Sequence, residues 1–264
     1  MKFFKMHAQG NDYIYFDLRE RGLPAGDLSL FAQAVADRHT GVGGDGIVML
    51  LPAGEESVHA AFRIWNADGS EAETCGNALR CVTAYLCDKL NVDSVFLRTA
   101  VGLRQGIIGE SSVRVDMGLP GDACAMSAQG VDGWFVDMGN PHLVIFTDSL
   151  YREELMILGP RLEGGGAQGV NVHLVHIIDE RTLEMMSWER GAGMTLACGS
   201  GACAAVQAAR SQGIESHEVE VRQPGGTVSV RLDEESGHLW LEGTVSPVCT
   251  GRLDESFLIE AQRG

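Results

Sequence analysis

The chain has 264 residues and a formal net charge of −16 at pH 7, from 36 acidic and 20 basic side chains. Because phosphate contacts need clustered Lys and Arg, this charge argues against a nucleic-acid partner and against an anionic membrane surface. Hydrophobic residues make up 45% of the chain, which supports a sizeable core and excludes a disordered protein. The length allows one large domain or two of roughly 130 residues.

The predicted elements are many short strands and few helices. Runs of β-branched and apolar residues between Gly, Asp and Asn predict strands at 47–51, 58–65, 95–99, 112–117, 134–138, 143–146, 172–178, 183–188, 218–222, 227–232 and 239–243. Helical spacing of apolar residues predicts helices at 27–38, 77–90, 149–162 and 200–212. Asp27, Asn77 and Ser200 are the expected N-caps of the first, second and fourth helices. This pattern indicates the α+β class.

Two cysteines stand at matching places before predicted helices. Cys75-Gly76-Asn77 opens one helix and Cys198-Gly199-Ser200 opens the other. Each is a Cys-Gly-polar step, and a second cysteine follows inside each helix. This echo predicts two similar halves that divide near 118–130.

The chemistry of a helix start suits these cysteines to acid–base work. Free N–H groups and a partial positive charge hold a carboxylate there and favour a thiolate. Two such starts would supply a thiolate and a thiol on opposite sides of a bound carbon. One cysteine would remove the α-proton of an amino acid and the other would return a proton to the opposite face. The result is stereoinversion without a cofactor.

The remaining cysteines and the chain start bear on location. The chain has 7 cysteines, an odd number, and no Cys-x-x-Cys pair. We therefore expect free thiols and no zinc ribbon or other metal site. The first residues are too polar for a signal peptide, and no run of about 18 apolar residues would span a membrane, so a cytoplasmic location is expected.

Several of these features have a simpler structural interpretation. A single Cys-Gly before a helix is usually a small buried side chain, and Cys81 and Cys203 are interpreted as core residues. His142 would ordinarily be a hydrogen-bonded structural residue, and Glu189-Arg190 a surface ion pair. The glycines at 41–46 match Gly-x-Gly-x-x-Gly, but a helix precedes them and a strand follows, which disfavours dinucleotide binding.

Taken together, the motifs resemble diaminopimelate epimerase, a family of cofactor-independent amino-acid racemases. The matching segments, which are spread in order over almost the whole chain, are 7–13, 37–43, 66–71 continuing into 75–77, 138–142, 169–172, 189–193 continuing into 198–203, and 224–226.

The resemblance implies two similar α/β lobes, each a mostly antiparallel sheet wrapped around a central helix, with the active site between them. Residues 1–117 would form the N-terminal lobe with Cys75, and 118–251 the C-terminal lobe with Cys198. A C-terminal strand, 252–264, would return to the first lobe. Dimers are common in the family, so a homodimer is one possible assembly. No segment of the sequence marks an interface, and the oligomeric state is left open at this point.

The resemblance also assigns roles to individual residues. Cys75 and Cys198 would be the acid–base thiols, with His142 close to them and Glu189 meeting the α-ammonium. Backbone donors for the reacting carboxylate would come from Gly76, Asn77, Gly199 and Ser200, and Asn11 would line the cleft. The distal amino-acid end of the substrate would be held by Asn66, Asn140, Asn171 and Arg190. An Arg for a carboxylate and amide oxygens for an ammonium suit a second zwitterionic head.

Three positions depart from the family pattern: Gly46, His173 and Met194. Gln is common at the first and Glu at the third, while His173 replaces a smaller or different residue. We expect His173 and Met194 not to touch the substrate.

The leading hypothesis is a cofactor-independent epimerase that converts LL-2,6-diaminopimelate to the meso form in lysine and peptidoglycan biosynthesis. A racemase of another amino acid, such as histidine, is the alternative on the same scaffold. A cysteine-nucleophile hydrolase would leave the duplicated cysteine unexplained. A non-catalytic amino-acid binding protein is the remaining class.

Overall fold

The computed structural model describes residues 1–23, 26–164 and 169–261, in which strands outnumber helices. The strands are β1 (Lys2–Ala8), β2 (Asn11–Asp17), β3 (Gly46–Leu51), β4 (Ala60–Asn66), β5 (Glu71–Ala72), β6 (Ser94–Thr99), β7 (Gly102–Ile108), β8 (Val113–Asp116), β9 (Cys124–Ala128), β10 (Val131–Asp137), β11 (Pro141–Phe146), β12 (Asn171–Asp179), β13 (Thr182–Glu189), β14 (Gly193–Thr195), β15 (Glu218–Gln223), β16 (Gly226–Leu232), β17 (Leu239–Gly243) and β18 (Ser246–Arg252). The helices are α1 (Leu28–Ala36), α2 (Gly76–Leu90), α3 (Arg152–Glu163), α4 (Gly199–Arg210) and α5 (Glu255–Glu260). Within these ranges, no helix has the length and apolar character that a membrane crossing requires.

The chain divides into two compact units. Unit 1 comprises Met1–Val113 with Thr244–Gly264, and unit 2 comprises Arg114–Gly243. The sequence had suggested divisions after residues 117 and 251.

The sheet of unit 1 is mixed but mostly antiparallel. Its strands pair in the order β18, β1, β2, β3, β4, β6 and β7, and only β2–β3 and β4–β6 are parallel among these pairs. The short β5 adds to β4. A parallel pair needs a crossover connection, and α1 and α2 supply the two.

The sheet of unit 2 repeats this order. Its strands pair as β9, β10, β11, β12, β13, β15, β16 and β17, with β11–β12 and β13–β15 parallel and the short β14 on β13. The crossovers are α3 and α4. The internal repeat predicted from the two cysteine motifs therefore extends to the connections between strands.

One helix lies at the centre of each unit. In unit 1, α2 packs against β1, β2, β6 and β7, and in unit 2, α4 packs against β10–β13, β16 and β17. Both helices are buried along most of their length. The small side chains of α4, many of them Ala, allow strands to approach from several sides. The predicted α+β fold of two sheets, each around a central helix, is confirmed.

A second helix packs on the outer side of each sheet. In unit 1, α1 contributes Phe31 and Val35 to a core cluster that includes Phe16 and Met49. In unit 2, Leu155 and Leu162 of α3 pack with Leu174 and its neighbours. Asp27 caps α1 as predicted, since its side chain accepts hydrogen bonds from the N–H groups of Ser29 and Leu30.

The structure corrects three of the predictions. The N-caps of α2 and α4 are Cys75 and Cys198, not Asn77 and Ser200, because both helices begin at the preceding glycine. The predicted strand at 252–264 is also wrong. The strand that pairs with β1 is β18, which ends at Arg252, and α5 follows with Asp254 as its cap. Residues 262–264 lie outside the described ranges.

Candidate active site

Cys75 stands at the start of α2 among amide side chains. Its Sγ donates to Oδ1 of Asn11 at 3.6 Å, and Nδ2 of Asn77 donates to the same oxygen at 3.2 Å. Asn11 in turn donates from Nδ2 to Oδ2 of Asp45 at 2.8 Å. The structure thus brings together three residues predicted for the site, and it adds Asp45 as the group that orients Asn11.

A buried cation orients Asn77. Arg80 is fully buried one turn into α2, and its Nη2 donates to Oδ1 of Asn77 and to Oε1 of Gln9. Because Oδ1 of Asn77 is taken by a guanidinium, its Nδ2 is turned to Asn11. The amide network beside Cys75 therefore has a defined direction.

Cys198 stands at the equivalent start of α4 and is almost completely buried. Its Sγ accepts from the N–H of Gly201 at 3.4 Å and lies 3.7 Å from Oγ of Ser200. Its backbone N–H donates to Oε1 of Gln223 at 2.7 Å. The predicted Gly199 and Ser200 open the helix here, as Gly76 and Asn77 open α2.

The electrostatics of Cys198 favour the protonated thiol. Burial raises the pKa of Cys198 well above its usual range, and the neighbouring carboxylate of Glu189 raises it further. The N–H of Gly201 acts in the opposite direction but does not overcome these effects. Glu189 itself is held by Oγ1 of Thr195, which donates to its Oε1 at 2.6 Å. The thiol of Cys198 is therefore protonated at neutral pH and can donate a proton.

A buried pair of imidazoles lies beside Cys198. Nδ1 of His142 and Nε2 of His173 are 2.8 Å apart, and Nε2 of His142 is 2.9 Å from Oδ1 of Asn140. Nδ1 of His173 is 2.9 Å from Oγ of Ser187. Burial lowers the pKa of both histidines, that of His173 to about 3, so both rings are neutral. His173, a departure from the family pattern that was expected not to touch the substrate, is part of this cluster.

The cluster also has the composition of a metal site. One ring nitrogen from each histidine and Sγ of Cys198 lie within 4.8 Å of one another. The facing nitrogens of the two rings, however, are hydrogen-bonded to each other, and the outer nitrogens contact Asn140 and Ser187. An ion would have to break this chain, so the residues fit a hydrogen-bonded pair better than a metal centre.

The residues predicted to hold the distal end of the substrate come from both units. Nδ2 of Asn171 donates to the carbonyl of Pro141 at 3.0 Å, and its Oδ1 accepts from the backbone N–H of Arg190 at 3.0 Å. Asn171 thereby ties the start of β11 to the segment after β13. In unit 1, Asn66 ends β4, and its Nδ2 donates to Oγ of Ser70 at 3.0 Å.

Comparisons with known proteins identify the family of this chain. The family model described as diaminopimelate epimerase matches residues 3–121 and 134–248. A diaminopimelate epimerase from Geobacillus thermodenitrificans is 37% identical over 94% of this chain and 95% of its own length. One from Rhodospirillum centenum is 38% identical over 97% of this chain and 94% of its own length.

This chain belongs to the diaminopimelate epimerase family. Its fold is also shared by more distant enzymes. A crystal structure of a hydroxyproline epimerase from Agrobacterium vitis superposes with a TM-score of 0.75 at 16% identity, covering 99% of this chain and 94% of that one. A probable proline racemase from Agrobacterium radiobacter gives 0.73 at 16% identity, covering 96% and 93%. The predicted family and enzyme class, an isomerase, are confirmed.

Sequence reasoning missed several residues of this epimerase-family site. Asp45, His173 and Gln223 bond directly to the predicted residues Asn11, His142 and Cys198, and Ser187 bonds to His173. His173 was noticed only as a departure from the family pattern, and Gln223 precedes the matching segment at 224–226. Nothing in the sequence marked Ser187, which lies within a strand and reads as an ordinary small residue.

Gly46, which also departs from the family pattern, is required by the close packing of β3 against β4 in this chain. A Cβ at this position would meet the carbonyl oxygen of Trp65 at 2.0 Å, because β3 approaches β4 closely there. Met194, the third departure, packs against the apolar cluster of unit 2.

Proposed function

We propose that this protein epimerises LL-2,6-diaminopimelate to the meso form, without a cofactor, by proton transfer at two cysteine thiols. The observation that carries the proposal is the family membership of a chain that retains a Cys-Gly helix start in each unit. The relatives it matches are named for this reaction. A racemase of histidine or another amino acid is less well supported. The relatives reported at 37–38% identity are named for diaminopimelate, whereas the hydroxyproline epimerase and the probable proline racemase share only 16% identity with this chain.

In the proposed mechanism, Cys75 and Cys198 act on opposite faces of one α-carbon. The thiolate of one cysteine takes the α-proton, and the thiol of the other gives a proton to the opposite face, so the total number of protons on the enzyme is unchanged. The N–H groups at the starts of α2 and α4 stabilise the negative charge that spreads onto the carboxylate. Asn11 positions the Cys75 thiol.

Glu189 links substrate binding to the state of Cys198. Without substrate its carboxylate raises the pKa of the thiol. When the α-ammonium of an amino acid approaches Glu189, the positive charge offsets that of the carboxylate, and the thiolate of Cys198 becomes easier to form. The same contact would then orient the substrate and prepare the second cysteine for the reverse direction.

The distal end of the substrate would be recognised by polar groups. Arg190 offers a cation for its carboxylate, and Asn66, Asn140 and Asn171 offer amide groups for the carboxylate and the ammonium. These assignments are supported by the match of each residue to the family motifs.

The proposal places the protein in lysine and peptidoglycan biosynthesis in the cytoplasm. Its binding partner is a small-molecule substrate, an amino acid. The net charge of −16 supports the absence of a nucleic-acid partner.

The deciding experiment is incubation of the reduced protein with LL-diaminopimelate in D2O. We expect the meso isomer to form with deuterium at the inverted α-carbon. Cys75→Ser and Cys198→Ser should each lower kcat by about a hundredfold or more, since each removes a proton-transfer group. Cys124→Ser and Cys249→Ser are matched controls, because both cysteines are exposed and outside the site.

Other outcomes would point elsewhere. Tight binding of the substrate without α-deuteration would indicate a binding protein. A covalent acyl-enzyme detected by mass spectrometry would indicate a hydrolase. Inversion of another amino acid in preference to diaminopimelate would support the alternative racemase.

A further inference from the structure

Four side chains of unit 2 form a continuous chain of hydrogen bonds. It runs from Ser187 through His173 and His142 to Asn140, with links of 2.9, 2.8 and 2.9 Å. Ser187, His173 and His142 are buried, whereas Asn140 is only half-buried. The chain therefore leads from the core of the unit to a residue that a ligand can reach.

The direction of the chain follows from its last link. The Oδ1 atom of Asn140 can only accept, so Nε2 of neutral His142 carries the proton and its Nδ1 accepts. His173 must then donate from Nε2 and accept at Nδ1, which leaves Ser187 as the first donor. Neither imidazole keeps a free lone pair. In this arrangement the histidines orient a neighbour and do not act as bases towards Cys198.

The internal repeat shows that the fold does not need these polar residues. His173 is the third residue of β12 and lies opposite Ser187 in β13. The third residue of β3 in unit 1 is Val48, which lies opposite Ile64 in β4. Both are buried and apolar. Unit 1 thus fills the equivalent strand positions with an ordinary apolar pair and has no hydrogen-bonded side chains between them.

The helix start of unit 2 is matched to the imidazole. Gly201 is the third residue of α4, and a Cβ there would meet Cε1 of His173 at 2.4 Å. The third residue of α2 is Ala78. Unit 2 therefore combines a larger strand side chain, His173, with a smaller helix residue, Gly201, where unit 1 has Val48 and Ala78. Burying two imidazoles and a hydroxyl is unfavourable unless each is hydrogen-bonded, so a complete chain at this place indicates a role beyond packing.

We propose that Ser187 and His173 are positioning residues for substrate recognition, acting through His142 on Asn140. They hold Oδ1 of Asn140 towards the protein and so leave its Nδ2 to face the ligand. Among the described residues, that NH2 group makes no hydrogen bond. Asn140 consequently presents a donor and recognises an acceptor, a carboxylate oxygen of the amino-acid substrate. This inference rests on the proposed function for the identity of the ligand.

The test compares two substitutions of His173 with the same two at His176. In His173→Gln, the side-chain amide can still donate to Nδ1 of His142, whereas His173→Met has no donor. We expect KM for LL-diaminopimelate to rise roughly tenfold in His173→Met, the effect of one misdirected hydrogen bond, with kcat changed far less. His173→Gln should restore most of the affinity. His176 lies on the same strand, and its Nδ1 is 3.0 Å from the backbone carbonyl oxygen of Thr147, so its variants should keep the parent KM.

A double-mutant cycle separates positioning from general damage. If His173 acts through Asn140, His173→Met will not raise KM further in an Asn140→Ala background. Ser187→Ala is a milder second variant in case His173→Met folds poorly, and Ser187→Thr should rescue it. An additive effect of His173→Met and Asn140→Ala would overturn the proposal.

A spectroscopic measurement tests the hydrogen-bond chain independently of activity. The 15N shifts of His142 should report a proton on Nε2 and none on Nδ1. A proton on Nδ1 would reverse the chain and overturn the proposal. Should the parent protein fail to epimerise diaminopimelate, the proposed function would fall, while these shifts would still decide whether the chain orients Asn140.

Discussion

The two candidate catalytic cysteines occupy like positions but have unlike neighbours. Cys75 is held by the amides of Asn11 and Asn77, whereas Cys198 is buried beside the carboxylate of Glu189. A nearby carboxylate opposes the formation of a thiolate. Burial and this carboxylate therefore favour the protonated thiol of Cys198 in the resting enzyme.

Removing the charge of Glu189 should make Cys198 more acidic. In Glu189→Gln the pKa of Cys198 should fall, because the charge that opposes the thiolate is gone, but burial should keep it above the usual value. The measurement is the pH dependence of thiolate ultraviolet absorbance, taken as the difference between Glu189→Gln and the parent.

The same pair compared in a Cys198→Ser background provides the control. The difference should vanish there, since the other cysteines are unchanged. A difference that persists would show that Glu189 acts on another thiol, and the assignment of Cys198 as the resting acid would lose its basis.

At this scale the sequence predicted the duplicated cysteines but not what surrounds them. Asn171–Val175 of β12 are all buried, so no alternation of polar and apolar residues reveals where His173 points. The motif step that opens each helix was recognised, yet the caps were placed at the polar Asn77 and Ser200. The side chain of Asn77 contacts Asn11 and that of Ser200 contacts Cys198, and the cysteine itself takes the cap position.

At the scale of elements, close packing of the central helix depends on small residues in the strands. In unit 1, Gly106 of β7 faces Thr83 of α2, and a Cβ on Gly106 would lie 1.9 Å from Oγ1 of Thr83. Thr83 is fully buried, with its hydroxyl donating to the carbonyl of Leu79. The helix that carries Cys75 is thus seated directly on this glycine.

Substituting Gly106 should push α2 away from β7. We expect Gly106→Ala to lower the free energy of unfolding by about 1–3 kcal/mol, the usual cost of overpacking a core. Gly164→Ala is the matched control, because no atom of the described residues lies within 4 Å of a Cβ there and its φ is −79°. Urea unfolding monitored by circular dichroism would measure both.

A second substitution tests the cause. Thr83→Ala removes the hydroxyl and methyl groups that a new Cβ would meet, so it should recover part of the stability lost in Gly106→Ala. If the two losses simply add, the contact between α2 and β7 is not what makes Gly106 necessary.

The elements that sequence patterns predicted best were amphipathic helices and well-bounded strands. Each predicted strand overlaps an observed one, and the four predicted helices are α1–α4. The patterns missed seven strands, β1, β2, β5, β7, β9, β14 and β18. In β2 nearly every residue is buried, and in β1 lysines interrupt the apolar residues, so neither segment shows a clean alternation. Short α5 was missed because its place was assigned to a strand.

At the scale of the whole molecule, each unit has its own core. Leu253, which follows β18, is buried in the cluster of unit 1, although it is separated from that cluster by the whole of unit 2 in the sequence. Leu241 of β17 is fully buried in unit 2. The N-terminal amino group of Met1 donates to the carbonyl of Leu253, which joins the two ends of the chain within unit 1.

Truncating these two leucines should affect different parts of the chain. Leu253→Ala should speed hydrogen exchange in Met1–Val113 and Leu241→Ala in Arg114–Gly243, each with a loss of about 2–4 kcal/mol from a buried cavity. Hydrogen-exchange mass spectrometry on the full chain measures both. Equal acceleration in both units from either variant would show that they unfold together.

The repeat was predictable at this scale because a rare motif occurs twice. The division of the chain was less so. The return of Thr244–Gly264 to unit 1 involves pairing of β18 with β1, a contact between the two ends of the sequence that no local pattern reveals.

The apolar pair Val48–Ile64 in unit 1 corresponds to the polar pair His173–Ser187 in unit 2. This difference between the units bears on how a protein with an internal repeat can act on only one of two identical groups in its substrate. Diaminopimelate in its LL form has two identical amino-acid groups, and a perfectly repeated protein would treat both in the same way. Only one of them is inverted in the meso product. By letting its two halves diverge at a few interior positions, a duplicated scaffold gains a means of giving the two equivalent ends of a symmetrical molecule different surroundings, so that only one of them reacts.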